Sequence, residues 1–136
     1  MQDFEGKLKI KDLHFTSFDF RQDNTIKGKT EVIFSFRVSY KKITAKSQIV
    51  KLGAKVQTAD NRLELNISMQ ATAELINEGL LDIDLCQSIL CQNPVAIMFP
   101  YLRSEIVLLT SQPGLLPIQL PIIDVTTLTK DAVYED

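Results

Sequence analysis

The stretch "RLELNISMQATAELI", residues 62–76, decides the fold class. Leu63, Leu65, Ile67, Met69, Ala71, Ala73 and Leu75 alternate with Glu64, Asn66, Ser68, Gln70, Thr72 and Glu74. Side chains along a strand point to opposite faces in turn, so this run predicts a long strand with one buried and one wet face. The stretch before it, "QIVKLGAKVQT", residues 48–58, has the same period, with Val50, Leu52, Ala54 and Val56 on one side and Lys51, Lys55 and Gln57 on the other. Between the two lies Ala59-Asp60-Asn61-Arg62, with Asp and Asn suited to turn geometry.

Working further toward the N-terminus, "TEVIFSFRVSYK", residues 30–41, sets Val32, Phe34, Phe36, Val38 and Tyr40 against Ile33, Ser35, Arg37, Ser39 and Lys41. The segment "KLKIKDLHFTSFDF", residues 7–20, alternates but loses phase twice. Leu8 and Ile10 share one parity, Leu13 and Phe15 the other, and Phe18 and Phe20 return to the first. Two slips predict one or two bulges in a long edge strand. "RQDNTIKGK", residues 21–29, is the loop that follows. Four strands with short links predict an antiparallel meander or Greek-key sheet.

After Asn77 the period changes. Asp82 and Asp84 suit a helix N-terminus. Two helical segments are expected, over about 82–92 and about 93–111, the second with Asn93 as N-cap and Pro94 at its first position. "QPG" at 112–114 ends it. A proline-punctuated loop, "LLPIQLPII", holds Pro117 and Pro121, a short helix over about 125–130 follows, and "DAVYED" reads as a frayed acidic tail. The expected fold class is α+β: a four-stranded antiparallel sheet, a long kinked helix, a proline-rich crossover loop and a short C-terminal helix on one face. The whole chain, 1–136, is one domain, with strands over about 7–76 and helices and crossover loop over about 82–131.

The segment "NPVAIMFPYLRSEI", residues 93–106, is unusual in two ways. Projected over 95–109, the run is apolar on most of a helical circumference, its polar arc being Arg103, Ser104 and Glu105. One sheet cannot bury both sides of such a helix, so a second layer is needed, and in a short chain another subunit supplies it. It also carries Pro100 inside the run, where a proline removes a backbone hydrogen bond and clashes with the preceding turn at a cost of about 3 kcal/mol. The loop side chains Leu115, Leu116, Ile118, Leu120, Ile122 and Ile123 either lie flat on the core or wall an apolar groove; composition favours the first.

Several functions are excluded by what is missing. The net charge of -2 implies no basic field for nucleic acid. Five glycines form no phosphate-cradling motif. His14 stands alone, Cys86 and Cys91 have neither redox nor zinc spacing, and no nucleophile elbow is present. Asp82 and Asp84 read as helix-start acids rather than a catalytic pair. No enzyme activity, no metal and no cofactor are expected. The apolar run holds Arg103 and Glu105, so no membrane insertion is expected either, and with no secretory n-region a cytoplasmic protein with reduced thiols is expected.

"MFPYLRSEI", residues 98–106, resembles the LFPYAR-type signature of the SecB family of export chaperones. "LLTSQPGLLPIQLPIIDVTTL", residues 108–128, is similar in register to that family's helix end, turn, "LNL" motif with adjacent prolines and last helix. Leu115 and Val125 replace family phenylalanines, and Pro117 and Pro121 are displaced by one position. The resemblance implies a homotetramer, a dimer of dimers, with the long helices between two sheets. It implies ATP-independent binding of unfolded preproteins in apolar grooves, keeping them translocation-competent. Groove candidates are then Met98, Phe99, Tyr101, Leu115, Leu116, Ile118, Leu120 and Ile122. Interface candidates are Leu102, Ile106, Leu109, Phe15 and Phe18. The translocase motor SecA is an implied partner, but its acidic docking site is not carried over, since the expected solvent face holds Lys29, Glu31, Arg37, Lys41, Lys51 and Lys55. Two other readings stand beside export: a chaperone dedicated to the antitoxin of a toxin–antitoxin module, and an interaction protein on the same scaffold without chaperone activity.

Overall fold

The period-two runs form the strands that they predict. The computed structural model describes residues 8–23, 31–76, 83–113, 118–121 and 123–135, with the backbone alone over 83–89. In chain order the elements are β1 (Leu8–Gln22), β2 (Val32–Thr44), β3 (Ser47–Thr58), β4 (Leu63–Leu75), α1 (Ile83–Thr110), α2 (Val125–Thr129) and β5 (Val133–Glu135). The sheet order is β1-β4-β3-β2-β5. Strands β2, β3 and β4 form an antiparallel meander, and β1 returns to lie antiparallel beside β4, a Greek key.

The two phase slips in β1 are two register shifts, between Lys11 and His14 and between Phe15 and Ser17. Asp12, in the first, has φ 53, a left-handed conformation that Asp tolerates better than most residues. Each shift restores the phase. Leu8, Ile10, Phe15, Phe18 and Phe20 therefore all oppose buried residues of β4, namely Leu75, Ala73, Met69, Ile67 and Leu65. Directly opposed residues share a face, so these five side chains of the edge strand lie on the helix side.

The β3–β4 turn is built as its residues predict. Asn61 takes φ 61, Asp60 Oδ1 accepts from the Arg62 amide at 3.2 Å, and Thr58 Oγ1 accepts from the Arg62 and Leu63 amides at 3.1 Å each.

Four expectations are corrected. The tail "DAVYED" is not frayed over its described part: Val133–Glu135 pairs in parallel with Ser39–Lys41, making the sheet five-stranded and mixed rather than four-stranded and antiparallel. Tyr134 stacks on Tyr40 with ring centroids 5.2 Å apart, and Glu135 bonds to Lys51, so side-chain contacts stabilise a strand too short to hold by its ladder alone. The two expected helices are one, α1, running through Pro94 and Pro100. Asn93 is accordingly not an N-cap, and its side-chain nitrogen is buried with no hydrogen-bond partner among the described residues. Helix α2 begins at Val125 as expected, capped by Asp124, whose Oδ1 accepts from the Thr126 amide at 3.1 Å.

Helix α1 is continuous because the sheet rewards an unbroken ridge. Leu90, Pro94, Met98, Leu102, Ile106 and Thr110, each four residues from the last, are all buried, and the helix packs on β3 and β4. Burying a Leu, Ile or Met side chain contributes about 1.5–3 kcal/mol, enough that several together outweigh the proline cost. The chemistry at Pro94 is also repaired locally. A proline at 94 leaves the carbonyl of Leu90 without its helical donor. Gln48 Nε2, buried in β3, donates to that oxygen at 2.7 Å. Tyr40 Oη donates to the neighbouring Cys91 carbonyl at 2.9 Å. Pro100 needs no such partner from the fold, since it and Ala96, the residue four before it, are exposed to water.

Candidate functional site

Opposite the buried ridge, α1 presents an exposed stripe. Ile97, Tyr101 and Leu108 are 42%, 53% and 64% exposed, and Ala96, Pro100 and Ser104 are exposed among them. Large apolar side chains grouped on one helical face mark a contact surface.

Beside the C-terminal half of this stripe, the segment 118–121 returns along the helix. Two polar ties position it. Thr110 Oγ1 accepts from the Ile118 amide at 2.8 Å while donating to the Ile106 carbonyl at 2.7 Å. Arg103 Nη2 donates to the Pro121 carbonyl at 3.1 Å. The Arg103 guanidinium also lies 5.3 Å from the centre of the Phe99 ring, a cation–π contact. Between helix and segment runs a groove of about 540 Å³, lined by Arg103, Ser104, Val107, Leu108, Ser111, Gln119 and Leu120.

The groove candidates separate on inspection. Leu120 lines the groove and Ile118 ties the segment to α1 beside it. Tyr101 is exposed beyond it on α1. Met98 and Phe99 are buried, Met98 beneath the helix and Phe99 edge-on to Phe36 with centroids 5.9 Å apart. Leu115, Leu116 and Ile122 lie outside the described residues. Among the interface candidates, Leu102 and Ile106 are fully buried in this chain's own core, where the helix turns them to the sheet. Leu109 is half-buried. Phe18, 50% exposed at the sheet edge, stacks with Phe15 at 5.2 Å.

Sequence reasoning singled out Arg103 within the signature but gave no tie to Gln48, Thr110 or Glu135, which hold the helix, the return segment and β5. Gln48 carried a readable signal, a polar residue in phase with Val50 and Leu52. Two tyrosines report on the other end of the sheet. Burial raises the Tyr40 hydroxyl well above its ordinary value. Tyr134 is pushed up to about 12 by its hydrogen bond to Cys91, whose Sγ is 3.2 Å from Tyr134 Oη, and by burial. Among the described residues no cluster of His, Cys, Asp or Glu could hold a metal ion, and no helix is long and apolar enough to cross a membrane.

The chain thus combines a Greek-key sheet, one long helix across its face, a return segment along that helix and a short last helix. No protein-family model and no curated protein sequence matches this chain. Among solved structures, it is similar to the SecB-like chaperone Rv1957 of Mycobacterium tuberculosis, in complex with a ChAD peptide from the HigA1 antitoxin. The TM-score is 0.70 over 89% of this chain and 91% of that one, at 13% identity. A protein of unknown function from Streptococcus agalactiae also matches, with a TM-score of 0.45, 12% identity and coverage of 85% and 97%. The first likeness establishes that this chain carries the SecB-like fold.

Proposed function

We propose that this protein is an ATP-independent chaperone that holds non-native polypeptides in the apolar groove between α1 and its return segment. The observation that carries this reading is the exposed stripe of α1 beside that groove. A helix that is apolar on both sides, with one side on the sheet, has a further binding task. The groove suits an extended apolar segment, taken up by side-chain pockets. On this reading Val107, Leu108 and Leu120 meet the client. Ile97 and Tyr101, further along the stripe, pack against another copy, and the working form is a homotetramer. The export reading makes the clients preproteins kept competent for translocation.

A second reading makes the client a single antitoxin of a toxin–antitoxin module. Its support is that the similar Mycobacterium tuberculosis chaperone is found with an antitoxin peptide. An aggregation assay separates the two readings. Stoichiometric protein without nucleotide delays the aggregation of several unrelated unfolded proteins under the first, and of one dedicated client under the second. No delay for any client contradicts both.

A further inference from the structure

The face of the sheet turned away from α1 carries a second surface, independent of the groove and of the chaperone reading. A shallow cleft of about 640 Å³ lies there, with Ser17, Arg37, Ser39, Lys51, Gly53 and Ser68 in its lining, and with the acids Asp131 and Glu135 at its β5 side. Register places them together: Arg37 opposes Gly53, Ser39 opposes Lys51, Gly53 opposes Ser68, and Ser68 opposes Ser17. Gly53 supplies a floor without a side chain. Arg37 lies across it, its Nη2 3.6 Å from where a Cβ on Gly53 would sit.

The two cations in the cleft are in different states. Lys51 already holds a carboxylate: its Nζ donates to Glu135 at 3.0 Å, and Ser39 Oγ donates to the same group at 3.3 Å. The hydrogen bond from Lys51 holds the Glu135 carboxyl below its ordinary value. That carboxylate comes from the chain's own acidic end. Arg37 is exposed and makes no hydrogen bond or ion pair among the described residues. It presents a permanent charge and a fork of donors over a hydroxyl-lined floor, a geometry matched to a carboxylate.

Arg37 and Ser39, the latter beside Lys51, are two residues apart on one strand, about 7 Å along it. An extended peptide repeats same-face side chains at the same spacing, so acids two residues apart meet both positions in register. We propose that this face docks an extended acidic segment of a partner protein, laid across Gly53 with carboxylates on Arg37 and at Lys51. Glu135 is the intramolecular occupant of the second position, and it competes with the incoming acid. A nucleic acid fits less well: among the described lining residues the cations are two, and the one aromatic, Phe36, turns its ring to Phe99 on the helix side.

The test uses the full chain and a fluorescent ten-residue peptide of alternating Glu and Ser, followed by anisotropy at low salt. Saturable binding is expected, weakened about tenfold by Arg37→Glu, tightened by Glu135→Gln and lost as salt rises. Arg37→Gln gives a smaller loss in the same direction and serves if the charge reversal does not fold. The inference is overturned if the peptide does not bind, if Arg37 variants bind it as the wild type does, if an alternating Lys and Ser peptide binds equally, or if a single-stranded oligonucleotide binds more tightly.

Discussion

Gln48 Nε2 donates to the carbonyl oxygen of Leu90 at 2.7 Å, the oxygen that Pro94 deprives of its helical donor. The two changes compensate each other, one in the strand and one in the helix. Gln48→Leu leaves a buried carbonyl unsatisfied and is expected to cost about 1–3 kcal/mol in denaturant unfolding. In a Pro94→Ala background a backbone N–H replaces the lost donor, and the same substitution is expected to cost less. Equal costs in the two backgrounds would show that Gln48 does not serve the proline.

Tyr101 and Leu102 are neighbours with opposite tasks. Leu102 is fully buried against the sheet, while Tyr101 faces outward. Leu102→Ala is expected to destabilise the chain by about 2–5 kcal/mol. Tyr101→Ser is expected to leave the stability of the single chain within about 0.5 kcal/mol and to lower the mass in solution. Light scattering together with urea unfolding separates them; an unchanged mass for Tyr101→Ser removes that residue from the interface.

Pro100 stands exposed in mid-helix. Pro100→Ala restores a donor to the Ala96 carbonyl and is expected to raise stability by up to about 3 kcal/mol. If the proline shapes the outer face for assembly, the same variant loses mass in light scattering. A variant with unchanged stability and mass would show that Pro100 has neither effect.

The docking of β5 is expected to depend on pH at both ends. The Glu135 carboxyl is held below its ordinary 4.5 by Lys51, so its contribution is present above 4.5 and lost as pH falls through the depressed value. The Tyr134 hydroxyl is raised from 10.0 to about 12, so its contribution is present below 10 and lost as pH rises toward 12. Exchange protection of the β5 amides, corrected for intrinsic rate, should fall outside that window. Glu135→Gln should remove the acid limb and keep the alkaline one.

The sheet was legible because β2, β3 and β4 repeat at period two with few interruptions, and even the bulges of β1 were written in its parity changes. Helix α1 was misjudged where local chemistry and tertiary context disagree. "NPV" has the form of a helix start, and only the side chain of Gln48, distant in sequence, makes it an interior. β5 was illegible for the same reason: Val133–Glu135 is held by Tyr40, Lys51 and Ser39 rather than by its own propensity. The candidate site was half legible. Apolar content announced an α1 apolar beyond the side it packs on the sheet, but periodicity alone did not say that Leu102 and Ile106 turn inward while Tyr101 and Leu108 turn outward.

The most direct test of the chaperone reading is the aggregation of an unfolded client, followed by light scattering without nucleotide, with wild-type protein and Leu108→Ser. Leu108 lines the groove and is 64% exposed, so its loss leaves the fold intact. The account predicts that the wild type delays aggregation at stoichiometric amounts and that Leu108→Ser, at unchanged mass and stability, does so much less. Equal delay by both proteins, or none by either, would contradict it.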